Sequence, residues 1–548
     1  MSEWERAAAL PFEGGLAART LLSRYLEGGV DAVVPFNGPA AIVILDPRDR
    51  IVHAITDQFG YHPLFGVSLD GDGLDGKGLT TFPDLVLCDP EADSRPDHVS
   101  MAEFLRAWRA TPPHTYFEAV RHVGAASVTT ISLDSGKATT RTYWDPLEHE
   151  PFANVGEAAE ALASAIKDGM AERTAIAERP LFFVSGGADS RVLLYAADDP
   201  ARVTGVNLYE RPGVETDVAR ALTEAAGSRF LALQRSPEFY AENLSRNVRW
   251  SGGMWCAEDA HYLGFEPELA VHRPDLVMTA CTTDWVFKGY GLEKTYRRIG
   301  GKPLPIYRFT DRREEGFLPN RPTAAPAALE AEVRARHDAW FSDLPDVLAS
   351  DRDRRRVEDR RVRPTCYTVS VSGQIMPRTM PYDTFLADSR VAAVYARTRA
   401  AWTLNGELWG KAAARVCEKA GPMVDANFGW PVDAGVPARF AYFVAGSLKR
   451  KLLPREVAAV ADDGRSPSSG SWPSMGWYAA NSKVLGEFWS NASPDHRERL
   501  RHLAGEDPFD RPLSAWAGDG QRMMRMATLL AHWRESEARR TRAVDASE

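Results

Sequence analysis

The run from Leu181 to Ala197 constrains this chain more than any other stretch. Four apolar residues, Leu181-Phe182-Phe183-Val184, precede Ser185-Gly186-Gly187-Ala188-Asp189-Ser190, and Arg191-Val192-Leu193-Leu194-Tyr195-Ala196-Ala197 follows. The pattern predicts a buried strand, a glycine turn and a helix opening on Asp189 or Ser190. Adjacent glycines let backbone approach a ligand closely, and the turn's N–H groups join the positive end of the helix to form an anion site. An acid at the helix start repels a bare phosphate but suits one carrying Mg²⁺, a hard cation that takes oxygen ligands. The local expectation is therefore a site for a metal-bound polyphosphate. A Walker-type loop is a poor rival, because the Gly-Lys pairs at 76–77, 136–137, 301–302 and 410–411 all lack the following Ser or Thr.

Length and charge narrow the setting. The 548 residues predict two to four domains with ample core. A net charge of −9 argues against a general nucleic-acid binder. Apolar stretches such as Ala40 to Leu45 are too short to span a bilayer, and Glu3 and Glu5 spoil a secretory signal. The five cysteines are scattered and form no Cys-x-x-Cys pair, which fits reduced thiols and a cytoplasmic location. Only eleven of the 66 basic residues are lysines, which shortens the roster of catalytic lysines.

Residues 1–150 read as a β-rich domain: an apolar strand closed by Asp46-Pro47, another from Ile51 to Ile55, then the turn Asp57-Gln58-Phe59-Gly60-Tyr61-His62-Pro63-Leu64-Phe65. Gly71-Asp72-Gly73-Leu74-Asp75-Gly76 formally matches Gly-x-Gly-x-x-Gly, but no helix-forming run follows and its acids would repel pyrophosphate, so it reads as a loop. Residues 155–177 predict a helix. Beyond the glycine turn, strands at 203–209, 230–234 and 275–281 alternate with helices such as 215–226, which argues for a doubly wound parallel sheet with ligands at the carboxyl ends of its strands. Proline-punctuated connectors lead to helical stretches at 327–341, 350–362 and 384–418. The mixed-charge run 351–361 reads as a solvated helix face. Residues 462–475 read as a Ser/Gly/Pro-rich loop and 536–548 as a polar tail.

Ser185-Gly186-Gly187-x-Asp189-Ser190 after a strand resembles the pyrophosphate loop of the ATP pyrophosphatase enzymes. A second run, Thr279-Ala280-Cys281-Thr282-Thr283-Asp284-Trp285-Val286-Phe287-Lys288-Gly289-Tyr290, is similar to the asparagine synthetase signature that ends in Phe-x-Gly-Tyr. Asp31 to Asp46, Asp57 to Phe65, Thr115 to Val123 and Thr142 to Pro146 resemble the glutaminase half of class II amidotransferases, and Met380-Pro381-Tyr382-Asp383 extends the likeness into the last third. The resemblance implies an α/β chain with a truncated Ntn-hydrolase-like α+β domain over 1–150. Over 151–535 it implies a doubly wound ATP pyrophosphatase domain with a helical extension.

It also implies ATP and Mg²⁺, with Asp189 and Asp284 as metal ligands and Val184, Ser185, Gly186, Gly187, Ser190, Val206 and Ala280 around the nucleotide. The activity implied is AMP-forming amide synthesis between a small-molecule or peptide carboxylate and an amine, without nucleic acid or membrane. Asp284 is otherwise read as a helix cap. Departures from the family pattern matter. Ser2 stands where the glutaminase nucleophile is a cysteine, so glutamine hydrolysis is not expected, and the reading tilts toward tailoring ligases such as β-lactam synthetases and lasso peptide cyclases. Ammonia-dependent asparagine synthesis and a catalytically silent relative remain open. Cys281 replaces the family's Glu or Tyr, as a weak base or as a buried structural thiol. The family lysine has no match after Leu453-Pro454; Lys449, Lys451, Lys483 and Arg465 are the candidates, with Arg191 able to share the charge.

Overall fold

The structure is a computed structural model that describes residues 15–68, 76–89, 91–313, 326–368, 374–420, 431, 433–452 and 474–547. It is a mixed α/β chain with several sheets. In the first part β1 (Ala41–Asp46), β2 (Ile51–Thr56), β3 (Phe65–Ser68), β4 (Gly76–Thr80), β5 (Val120–His122), β6 (Ser127–Ser132) and β7 (Ala138–Thr142) form two antiparallel sheets, ordered β1-β2-β6-β7 and β4-β3-β5. A helix at Leu16–Val33 packs its Tyr25 and Val33 against Ile42, Ile55 and Val128. Gly76 opens β4, so the formal Gly-x-Gly-x-x-Gly leads into a strand, its residues 71–75 lying outside those described.

Two buried aspartates shape this part. Asp46 accepts hydrogen bonds from the Arg48 N–H at 2.9 Å and the Tyr25 hydroxyl at 3.0 Å, which turns the chain at Asp46-Pro47. Asp57 accepts from the N–H groups of Ala40 at 3.1 Å, Phe59 at 3.0 Å and Tyr61 at 3.1 Å. One carboxylate thus satisfies three otherwise orphaned donors and sets the path of the turn that carries Tyr61.

A third sheet is parallel and ordered β10-β9-β8-β11-β14, from β8 (Pro180–Phe183), β9 (Thr204–Tyr209), β10 (Arg229–Gln234), β11 (Leu276–Met278) and β14 (Tyr382–Asp383). Alternate residues of the central segment enter different cores. Leu181 and Phe183 join Tyr240, Trp255, Trp516 and Met523 on one face, while Phe182 and Val184 join Leu162, Ile166, Val192 and Trp409 on the other. Burial on both faces explains why the strand reads as a continuous apolar run. The short β14 is held at the edge by Arg173 of the Val155–Ile176 helix, whose Nε lies 3.0 Å from Asp383 and whose Nη1 lies 2.7 Å from Asp388. A hairpin of β12 (Lys294–Ile299) and β13 (Lys302–Phe309) packs its Tyr307 and Phe309 against Leu292, Ala400 and Leu404.

Two expectations need correction. The mixed-charge run lies on the Asp351–Thr368 helix, but Arg355, Glu358, Asp359 and Arg361 are buried rather than solvated. Arg355 pairs with Glu358 and donates to the Tyr395 carbonyl at 2.9 Å, and Asp359 accepts from the Tyr395 hydroxyl at 3.1 Å. Positions 355, 358, 359 and 362 share one helical face, and pairing lets charged members of that face leave water. The segment 536–547, expected as a tail, continues the helix Gly520–Ser547, where Arg539 approaches Asp84 and Arg540 donates to the Ser94 carbonyl at 3.3 Å. Among the described residues no helix is long and apolar enough to cross a membrane.

Candidate active site

The parallel sheet reverses its order between β8 and β11: the chain moves outward from β8 through β9 to β10, then returns to place β11 on the other side. Loops leaving two strands at such a switch point diverge and open a crevice at their carboxyl ends. A cavity of about 350 Å³ occupies that position, lined by Val184, Ser185, Asp189, Ser190, Val206, Ala280, Cys281 and Asp284 among others. Eight residues chosen from sequence therefore share one cavity. Gly186 and Gly187 belong to the same loop, behind its lining edge.

The glycine turn is knitted by its own serines. The Ser190 hydroxyl oxygen accepts from the Ser185 N–H at 2.8 Å and lies 3.1 Å from the Ser185 hydroxyl, which accepts from the Gly187 N–H at 3.2 Å. Both hydroxyls thus shape the loop. Arg191, expected to share phosphate charge, is buried and donates to the Gly186 carbonyl at 2.9 Å, fastening the loop from behind. Close packing also governs the neighbouring strand: a Cβ on Gly205 of β9 would lie 2.7 Å from the Thr223 methyl.

Asp189 stands in the first turn of the Ala188–Ala196 helix and Asp284 in the first turn of Thr283–Phe287. Between them lies Lys288, its Nζ 2.6 Å from Asp189 Oδ2 and 2.8 Å from Asp284 Oδ1. The two acids are therefore far closer than a nanometre, and Asp284 is spent on an ion pair rather than on capping its helix. Burial works against the lysine's charge, yet the two carboxylates outweigh it and hold the ammonium well above the usual lysine range. Two hard-oxygen donors already converging on one cation form a set that fits Mg²⁺. Thr282, just ahead of Asp284, has the left-handed φ of 73°, a strained conformation for a β-branched residue.

Cys281, expected as a weak base or a buried structural thiol, lines this cavity. Burial pushes its thiol up to about 12, so the sulfur stays protonated near neutrality. Lys449 lies in the Val436–Leu452 helix with its side chain outside the described residues, as does that of Lys451, and Arg465 lies outside them altogether. Lys483 is exposed at the start of another helix, Lys483–Ser490, and does not line the cavity.

Of the remaining lining residues, Trp285 belongs to the 279–290 run, while Trp255, Asp259, His261 and Tyr262 lie in no motif read from the sequence. Trp255, Asp259, His261, Tyr262 and Trp285 also line the cavity, with Tyr262 packed edge-on to Phe183 at 4.3 Å between ring centres. His261 Nδ1 is 2.7 Å from the Tyr240 hydroxyl, and burial drives its imidazole toward the neutral form. Burial raises both Glu258 and Asp259, and the neighbouring Asp259 charge raises Glu258 further. Beyond Trp285, Lys294 lies 4.8 Å from the Tyr307 ring centre, and burial lowers its ammonium to about 8.

Residues 6–144 match the family model of a glutamine amidotransferase domain. The glutamine-hydrolysing asparagine synthetase 3 of Bacillus subtilis (strain 168) is 24% identical over 190 residues, a match covering 34% of this chain and 30% of that protein. The chain thus spans under a third of that relative's length. Over those stretches the chain is similar to a glutamine amidotransferase domain and to part of an asparagine synthetase.

Proposed function

We propose that this protein is an AMP-forming amide ligase of the asparagine synthetase type. The observation that carries the reading is the convergence of Asp189 and Asp284 on one cation beside the Ser185–Ser190 turn, at the switch point of a parallel sheet. A substrate carboxylate attacks the α-phosphorus of ATP and pyrophosphate departs toward the glycine turn. An amine then displaces AMP from the acyl-adenylate to form the amide. Asp189 and Asp284 would hold Mg²⁺, which supplies positive charge beside the phosphate oxygens. Backbone N–H groups of the turn and the dipole of the Ala188–Ala196 helix stabilise the departing pyrophosphate, while Val206 and Ala280 offer apolar surface to the nucleoside.

The walls of Trp255, Tyr262 and Trp285 favour an organic amine, as in a tailoring ligase or a peptide macrolactam closure, over free ammonia. Exchange of labelled pyrophosphate into ATP, run over a panel of carboxylic acids, tests the first half-reaction. Acid-dependent exchange that Asp189→Asn and Asp284→Asn reduce by about 10²-fold or more is expected. Aspartate with ammonia in the same panel tests asparagine synthesis. A second reading, a silent nucleotide-binding relative, is favoured by one observation, the seating of Lys288 between the two aspartates. MgATP binding without exchange for any acid would select it.

A further inference from the structure

Lys288 occupies the space between the two aspartates where a divalent ion would sit. It lies four residues after Asp284 on the same face of the chain, and its stem crosses to a carboxylate 99 residues earlier in sequence. The three side chains are partly open, with Lys288 27% and Asp189 23% exposed, so the ammonium is not sealed in place. Its stem runs beside Gly406, where an added Cβ would stand 3.8 Å from the lysine Cγ, leaving that side of the path unobstructed.

Two carboxylates facing each other without a counterion repel strongly in a partly desolvated cleft. One ammonium leaves this pair with a net charge of about −1, whereas a divalent ion in the same seat would bring it to neutrality. The four-carbon stem ends in a compact charge with three rotatable donors, suited to exchanging one set of oxygens for another. The nearest alternative anion would be a phosphate lying over the glycine turn, because Asp189 itself belongs to that turn's helix.

We propose that Lys288 is a tethered cation that keeps the metal seat filled in the nucleotide-free protein and moves onto the phosphates when magnesium-bound nucleotide arrives. The proposal rests on the ligase reading for its second half only. Free divalent ions are thereby discouraged from settling between the acids, and the ion enters together with the nucleotide. The same lysine then contributes positive charge at the polyphosphate.

The test uses the full chain and Mn²⁺ as the probe, followed by electron paramagnetic resonance without nucleotide. Lys288→Met removes the tethered charge, and Lys288→Gln is a second variant that retains hydrogen bonding; thermal melts identify whichever is folded. The folded variant is expected to bind Mn²⁺ at least tenfold more tightly than the parent, and adding Asp189→Asn should abolish the gain. Equal or weaker Mn²⁺ binding than the parent would overturn the seat-filling role. MgATP titrations by calorimetry read the second half: at least tenfold weaker binding in the lysine variant is expected, and unchanged MgATP affinity would overturn the transfer to phosphate. Failure of the parent to bind MgATP would sink the ligase reading, while the nucleotide-free Mn²⁺ comparison would still decide the first half.

Discussion

The hydroxyl of Tyr61 lies 3.1 Å from Thr282 Oγ1, joining the buried turn of the amidotransferase-like part to the strained residue that introduces Asp284. Both side chains are buried, so water does not substitute freely for either partner. Tyr61→Phe should cost about 1–2 kcal/mol of stability, the penalty for stranding a buried hydroxyl. Urea unfolding measures that loss. If Thr282 needs this contact to keep its left-handed backbone, MgATP affinity falls as well; unchanged affinity would show that the loop holds its shape alone.

Asp84 offers a pH test. Its carboxyl is fully buried, neither oxygen has a hydrogen-bond partner among the described residues, and the Arg539 Nε is 3.9 Å away. Burial raises it to about 7, partly offset by Arg539 and Arg378. The folded state thus holds a proton that the unfolded chain releases near pH 4, so the stability this group contributes is present below that point and is lost as pH rises toward 7. Asp84→Asn should therefore stabilise the protein by about 2–4 kcal/mol at pH 8 and by little at pH 4. Thermal melts at the two pH values check the sign.

Gly205 is a packing prediction. Because an added methyl would press on Thr223 at 2.7 Å, Gly205→Ala should destabilise by about 1–3 kcal/mol. Pairing it with Thr223→Ala should restore much of the loss, read as a non-additive double-mutant cycle.

Cys281 should behave as an inert thiol. With its thiol raised to about 12, alkylation by iodoacetamide at pH 8 should lag far behind that of exposed Cys88, as followed by mass spectrometry. Cys281→Ser should leave pyrophosphate exchange within a few-fold of the parent. A loss of about 10²-fold or more would restore the cysteine as a chemical participant.

The strand, turn and helix around 181–197 were legible because burial on both sheet faces and a glycine turn leave a local signature. Asp189 and Asp284 were legible through resemblance, and the cavity joins them. Lys288 was half legible: its spacing from Asp284 is helical, but nothing local announces a partner at 189. Trp255, Asp259 and Tyr262 reach the cavity from a segment whose character is set by packing, which no short pattern records. The Asp351–Thr368 helix misled because charge composition outweighed spacing; positions 355, 358, 359 and 362 trace a face whose charges pair rather than meet solvent.

Phe65, Val86, Phe104 and Phe117 from the amidotransferase-like part occupy the same core as Trp516, Met523 and Trp533 near the other end of the sequence. Each contributes the lining against which the other's aromatic rings settle, so this largest interior belongs to neither part alone. The molecule should accordingly melt in a single step, and cutting it into its apparent modules would yield sticky, half-dressed pieces instead of two working ones.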